Sequence, residues 1–400
     1  AAVCGTGEKR GDRCRDIACM AAAAGLLSIA NAASLSRTGV LQLVAILVLA
    51  FVWHWWRIAT VRRLLLLAVL AYVLASLLLP WLAGRDPFVA GIVDRFGSDA
   101  HSCQSRLVLW SNVLHLISLR PWSGWGWGEL DFAHFMTLYP GTRFCDILDN
   151  AHNLPLHLAV ELGIPVAVAL CSAVAWLVWR AKPHRETVIE RQLAWAVLAL
   201  IALHSMVEYP LWYGPFQMAT VLCIWILVCV PAGAKAEGIV PLDTRLQESM
   251  QPVWSRRARV WLIGISLVTL SAVAYAMWDY HRVSQIYKQP EQRSPAYRDH
   301  TLAKLQGSWL FRRQVQFAEL TLTRVDAANA VEVHALAARM LHFSPEPRVI
   351  ERLIDSARLL GRGDEAEALA RRFQAAFPRE HALWAQRQRL GSATQRPARP

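Results

Sequence analysis

In the run DNAHNLPLHLAVELGIP, residues 149–165, His152 stands just ahead of an apolar, helix-forming stretch that contains His157 and Glu161. Free imidazole titrates near pH 6.5, so its neutral form can take a proton from a hydroxyl at physiological pH. Pro155 suits a first helical turn and Asn153 suits the cap before it, which would fix His152 at a helix end. Gly163 and Pro165 predict a bend further along. His152 reads either as a general base or as a capping, structural histidine. His157 and Glu161 are one turn apart, but His152 lies five residues from His157 and splays around the helix. That spacing disfavours a metal site, and no metal or cofactor is expected.

Other polar residues stand at the ends of apolar runs. Arg37 lies in the turn SLSRTG and Arg106 begins SRLVLWSNVLHLI, which reads as an amphipathic helix near a membrane interface. A guanidinium presents a planar fork of donors suited to phosphate oxygens. The alternatives are a snorkelling arginine for Arg37 and a solvated helix-end charge for Arg106. Trp122, Trp125 and Trp127 alternate with glycine in RPWSGWGWGEL, either as sugar-stacking faces or as an interfacial loop. In HSMVEYPLWYGPFQ, Glu208 and Tyr209 follow an apolar run. Glu208 would orient an imidazole or an arginine, or stand as a hydrated loop acid.

What must position these residues is a membrane scaffold. The 400 residues are 55% hydrophobic, with 18 tryptophans and a net charge of +12. Such a charge raises nucleic-acid binding, but the cations cluster between apolar runs, the positive-inside pattern of a membrane protein. No nucleic-acid partner is expected. Seven runs have the length of membrane helices: 18–35, 39–56, 64–83, 155–179, 192–209, 212–231 and 259–278. Basic loops at 57–63, 180–191 and 232–258, and the basic start of the chain, are an even number of crossings apart and so can all face the cytoplasm. The opposite side then holds SLSRTG, the loop 84–154, VEYPLWYG and everything after residue 279. The chain opens without Met or a signal peptide and reads as starting mid-protein.

The expected organisation is a cytoplasmic tail over 1–17, three spans over 18–83, an outer loop over 84–154, four spans over 155–278 and a helical domain over 279–400. In that last domain, helix, Gly-Arg-Gly turn and helix follow one another through VIERLIDSARLLGRGDEAEALARRFQAAFPRE, and another pair is expected around 314–341. The pattern resembles tetratricopeptide hairpins, which form protein-binding surfaces, or a plain helical cap. Cys103 and Cys145 share the outer loop, where an oxidising compartment would let them pair; free thiols are the alternative.

Two arginines, a histidine and aromatic faces on one side of a membrane fit transfer of a sugar from a lipid-linked phosphate or pyrophosphate to a hydroxyl. The arginines would offset charge on the leaving group without a metal.

The segments SRTG, SRLVLW, RPWSGWGWG, DNAHNLPLHLAVELG and HSMVEYPLWY together resemble the O-antigen ligase superfamily, most nearly its bacterial protein O-oligosaccharyltransferases (pilin-glycosylation ligases), in order over roughly 18–232. The resemblance implies an all-α, polytopic fold of GT-C type in the bacterial inner membrane. It implies metal-free transfer of a glycan from undecaprenyl pyrophosphate to a periplasmic acceptor protein, with further spans ahead of residue 1. By motif, Arg37 and Arg106 would bind the pyrophosphate and His152 would activate the acceptor. Glu208, Tyr209, Trp125, Trp127, Asn153 and Glu161 rest on the reading of the residues alone.

Competing readings keep the chemistry with another acceptor (a lipid A-core ligase or an O-antigen polymerase) or abandon it for a lipid-linked anion transporter or an assembly scaffold. A transporter would carry charge at mid-span. Here the charges sit at span ends, and a scaffold leaves the Arg37, Arg106 and His152 grouping without a purpose.

Overall fold

The computed structural model describes residues 8–84, 103–231 and 256–394, and every regular element among them is helical. Lys235 and Arg245, in the basic loop expected over 232–258, lie outside the described residues. The chain divides into two compact units, residues 1–124 with 150–236, and residues 125–149 with 237–400.

The first unit begins with α1 (Glu8–Ala33), α2 (Arg37–Val52), α3 (Ala59–Leu82) and α4 (Arg106–Leu119). The second unit takes α5 (Leu130–Met136). The chain then returns to the first unit for α6 (Leu154–Leu162), α7 (Ile164–Ala181), α8 (Ile189–Ser205) and α9 (Gly214–Cys229). Within this unit α1 packs on α3, α2 on α8, α8 on α9, α6 on α7 and α4 on α6.

Apolar side chains face outward all around these helices. Leu66, Leu70 and Leu74 of α3 are exposed, as are Val174 and Leu177 of α7, and a helix apolar on every face is matched to lipid rather than water. Among the described residues, four stretches are long and apolar enough to cross a membrane: Arg15–Ala33, Ala59–Leu82, Ile164–Arg185 and Ile263–Tyr287. The chain is a multi-pass membrane protein. Of the other expected spans, α2, α8 and α9 have 16, 17 and 16 residues. At 1.5 Å per residue they reach about 25 Å, short of the roughly 30 Å hydrocarbon core. The run expected as one span over 155–179 is two helices, broken at Gly163. Helix α4 is not one-sided as its sequence suggested: Leu109, Val113 and Leu116 are buried while Leu107 and Leu114 are exposed. Its apolar residues serve an internal contact and the outside together.

Polar bonds close one end of the bundle. Trp53 Nε1 donates to Pro183 O (2.8 Å) and Trp55 Nε1 to Gln192 Oε1 (2.7 Å). Arg191 binds Glu186 and the carbonyls of Leu227 and Val230, satisfying the carbonyls left open at the end of α9.

The second unit continues with α10 (Arg256–Ser284), α11 (Thr301–Leu305), α12 (Arg312–Leu322), α13 (Ala330–Leu341), α14 (Pro347–Leu359), α15 (Gly363–Ala376) and α16 (Pro378–Thr394). From α12 onward each helix packs on the next, and Gly361, at φ 74°, allows the tight turn from α14 to α15. Val349, Ile350, Leu353, Ile354 and Phe373 form the buried core. Phe135 of α5 belongs to that same core, flanked by Phe132 and Met136, and Arg372 Nε donates to Met136 O (2.9 Å). At the exit of α10, Asp279 is fully buried and accepts from Ser308 Oγ (2.9 Å) and Leu310 N (3.3 Å).

Candidate functional site

The turn before α6 is built by asparagines. Asn153 caps the helix by accepting from Leu156 N (3.0 Å), and its amide donates to Met206 O (2.9 Å) just past α8. Asn150, almost wholly buried, accepts from His152 N (2.9 Å) in an Asx turn. Trp110 of α4 donates to Ala151 O (3.0 Å). These bonds hold His152 at φ 50°, a left-handed conformation that costs a non-glycine residue about 1–3 kcal/mol and persists only where neighbours impose it.

The imidazole is oriented as tightly as its backbone. Nδ1 lies 3.1 Å from Asn150 O, which accepts only, so Nδ1 carries a hydrogen; in the neutral imidazole the lone pair is then on Nε2. Nε2 faces Glu208 Oε2 at 3.7 Å. The other carboxylate oxygen, Oε1, receives Arg106 Nη2. Tyr209 meets the imidazole edge-on, with centroids 4.8 Å apart. The side chains of His152, Glu208 and Arg106 are 25%, 30% and 34% exposed, so the group is fixed yet open to a ligand.

Thus Arg106, His152, Glu208 and Tyr209 come together, from α4, the α6 turn and the segment after α8. Arg37 opens α2 in the same unit. Ser36 Oγ caps that helix by accepting from Gly39 N (3.2 Å), and Asn31 of α1 donates to Gly39 O (3.2 Å), closing the SLSRTG turn. Glu161 is buried and pairs with His157 (3.4 Å), whose ring meets Trp212 edge-on at 4.8 Å. Trp125 and Trp127 belong to the second unit, where Trp127 is exposed.

The loop 120–124 locks onto the α6–α7 break. Ile164 N donates to Pro121 O (2.8 Å), and Gly124 and Gly163 bring the two backbones into direct contact. Asn150 and Trp110 are the positioning residues that the sequence reading passed over. The spacing Asn-Ala-His is an Asx-turn signal that points to Asn150; nothing local marks Trp110.

Residues 22–171 match the family model for O-antigen ligase, and residues 192–390 match that for the C-terminal part of virulence factor membrane-bound polymerase. The chain is 25% identical to the general O-oligosaccharyltransferase of Acinetobacter baylyi (strain ATCC 33305 / BD413 / ADP1), over 60% of this chain and 42% of that protein. It therefore spans less than half the length of that relative. No solved structure matches. This chain belongs to the O-antigen ligase superfamily, a class of glycosyltransferase-type membrane enzymes. Arg37, Arg106 and His152 fall in the ligase match and Glu208 in the polymerase match.

Proposed function

We propose that this chain carries the transfer centre of an oligosaccharyltransferase that moves a glycan from undecaprenyl pyrophosphate to hydroxyl groups of periplasmic proteins such as pilin. The observation that carries this reading is the His152 imidazole, with Nδ1 tied to Asn150 O and Nε2 facing the Glu208 carboxylate that Arg106 holds. His152 Nε2 takes the proton of the acceptor hydroxyl as its oxygen attacks the anomeric carbon. The bond from that carbon to the pyrophosphate oxygen breaks, and Arg106 and Arg37 stabilise the departing anion without a metal. Glu208 stabilises the imidazolium that forms. As the pyrophosphate engages Arg106, the carboxylate is released towards His152.

The same reading takes the fold as GT-C type, the C-terminal helices as tetratricopeptide-like and the membrane as the bacterial inner membrane. Grouping of the 53–57, 183–186 and 227–230 segments at one bundle end supports a common cytoplasmic side for the basic loops. The bonds joining Ala151, Asn153, Met206 and Glu208 support a periplasmic side for the site.

A second reading, glycan polymerisation or ligation to lipid A-core, is favoured by the polymerase match at 192–390. The protein, wild type and His152→Ala, should be expressed with a pilin-type acceptor and, separately, a lipid A-core acceptor. Glycosylation of protein that His152→Ala abolishes supports the proposal; transfer to lipid alone, or glycan polymer alone, moves it to the second reading.

A further inference from the structure

Beyond α10 the chain turns basic. From Arg282 to Arg313 there are seven lysines and arginines against Glu291 and Asp299. Arg293, Arg298 and His300 of this stretch line one open cavity of about 430 Å³, together with Thr301, Ile286 and Leu322. Arg293 is half-buried and held in place: Nε donates to Lys288 O (3.0 Å) and Nη1 to Thr301 Oγ1 (3.0 Å). A guanidinium has five N–H groups, so this one is oriented with donors remaining for a ligand.

The depth of the cavity follows from chain continuity. Ile286 belongs to the apolar span Ile263–Tyr287, so part of the wall is the end of a membrane-crossing helix. The same end exposes Trp278, Tyr280 and Tyr287, the aromatic signature of headgroup level, and Arg282 lies over the Trp278 ring at 4.4 Å. Trp309 and Leu310 are also exposed, and Leu310 N is bound by Asp279 of α10, which ties this apolar tip to the same helix end. Phospholipid phosphates lie at that level. The mixed lining, cationic on one part and apolar at Ile286 and Leu322, matches a phosphodiester with its glycerol rather than a fully hydrated anion.

We propose that the Arg293–Arg298–His300 cavity binds the phosphodiester of an anionic phospholipid headgroup and moors the C-terminal helical unit to the bilayer surface. This site is separate from the transfer chemistry and stands whether or not that reading holds.

The test is lipid retention by the detergent-purified full chain, read by native mass spectrometry with phosphatidylglycerol or phosphatidylcholine added. Wild type retains phosphatidylglycerol preferentially. Each cation near an anionic surface contributes roughly fivefold in binding, so Arg293→Gln with Arg298→Gln lowers retention about 25-fold. The exposed Arg371→Gln leaves it unchanged. Because Arg293 also ties Lys288 to Thr301, Arg298→Gln with His300→Gln is the second variant, expected to lower retention at least fivefold with the helical circular dichroism intact. Equal retention of the two lipids by wild type, or unchanged retention in both variants, overturns the proposal. Displacement of the lipid by millimolar inorganic phosphate also overturns it, assigning the cavity to a soluble anion.

Discussion

Replacing Gly163 with alanine tests whether the break between α6 and α7 holds the proposed transfer centre in place. Gly163 has φ 87° and ψ 158°, a region open essentially to glycine alone. A Cβ there would fall 2.3 Å from Trp122 O and 2.6 Å from Trp122 C, both backbone atoms that no rotamer change can move aside. Gly124 meets the same crowding from the other side, its Cβ position 2.3 Å from Glu161 O. Backbone strain costs about 1–3 kcal/mol. Parting the segments also gives up the bond from Ile164 N to Pro121 O, about 1 kcal/mol more. The expected loss is about 2–4 kcal/mol of a typical total of 5–15. Because His152 stands in the turn that leads into α6, a displacement of about 1 Å there should lower transfer roughly 100-fold. Thermal stability in detergent and glycosylation in cells, normalised to protein level, measure the two effects. Gly25→Ala is the control: nothing lies within 4 Å of its Cβ position, and alanine in a helix interior is favoured over glycine by about 1 kcal/mol. Wild-type melting and wild-type transfer in Gly163→Ala would refute the clasp as a positioning device.

Four further outcomes are expected. His152→Ala should lower transfer by about 10²–10⁴ while leaving the protein folded, read by glycosylated product against a melting curve. Asn150→Ala should lower transfer about 10–100-fold through loss of the Asx turn, while Asn150→Asp, which keeps the acceptor oxygen, should retain more activity than Asn150→Ala at every pH. The second unit should show opposed pH slopes. Burial, with Glu129 and Asp149 nearby, raises Asp131 to about 7, so its contribution is present at low pH and is lost as pH rises towards 7. Burial and Arg143 lower His134 to about 3, so its contribution is present above pH 6.5 and is lost as pH falls towards 3. Between about pH 4 and 6.5 the two offset each other. Asp131→Asn should uncover a stability that rises with pH there, by at most about 1.4 kcal/mol per pH unit, in urea melts; a flat profile would sink the account. Finally, Cys103 and Cys145 should resist maleimide labelling until a reductant is added, and labelling without reductant would mean they are unpaired.

The helical scaffold was largely legible because long apolar runs and their caps are local signals. Pro155 and Asn153 announce the start of α6 in their own types and GRG announces the α14–α15 turn, whereas Gly163 reads in sequence as a bend within one span and in the structure ends the helix. Span lengths were less so, since composition does not show where α2 gives way to the Trp55–Arg57 turn. At the site, residue types located Arg106, His152 and Glu208, but their meeting depends on packing between α4, α6 and α8, which no local pattern encodes. Helix α5 escaped notice for a related reason. LDFAHFM is too short to show a period, and its partner residues lie about 200 positions away in sequence.

That small helix also decides where the protein can be cut and regrafted. Phe135 sits among Leu320, Val349, Ile350 and Phe373, so a truncation after α10 would strip the cover from α5 and leave its aromatic side chains sticky, whatever became of acceptor recognition. A deletion mutant of that kind would report aggregation and be misread as lost specificity. Exchange of C-terminal regions between relatives would need to carry residues 125–149 along with 237–400, two inserts from distant points of the gene treated as one cassette.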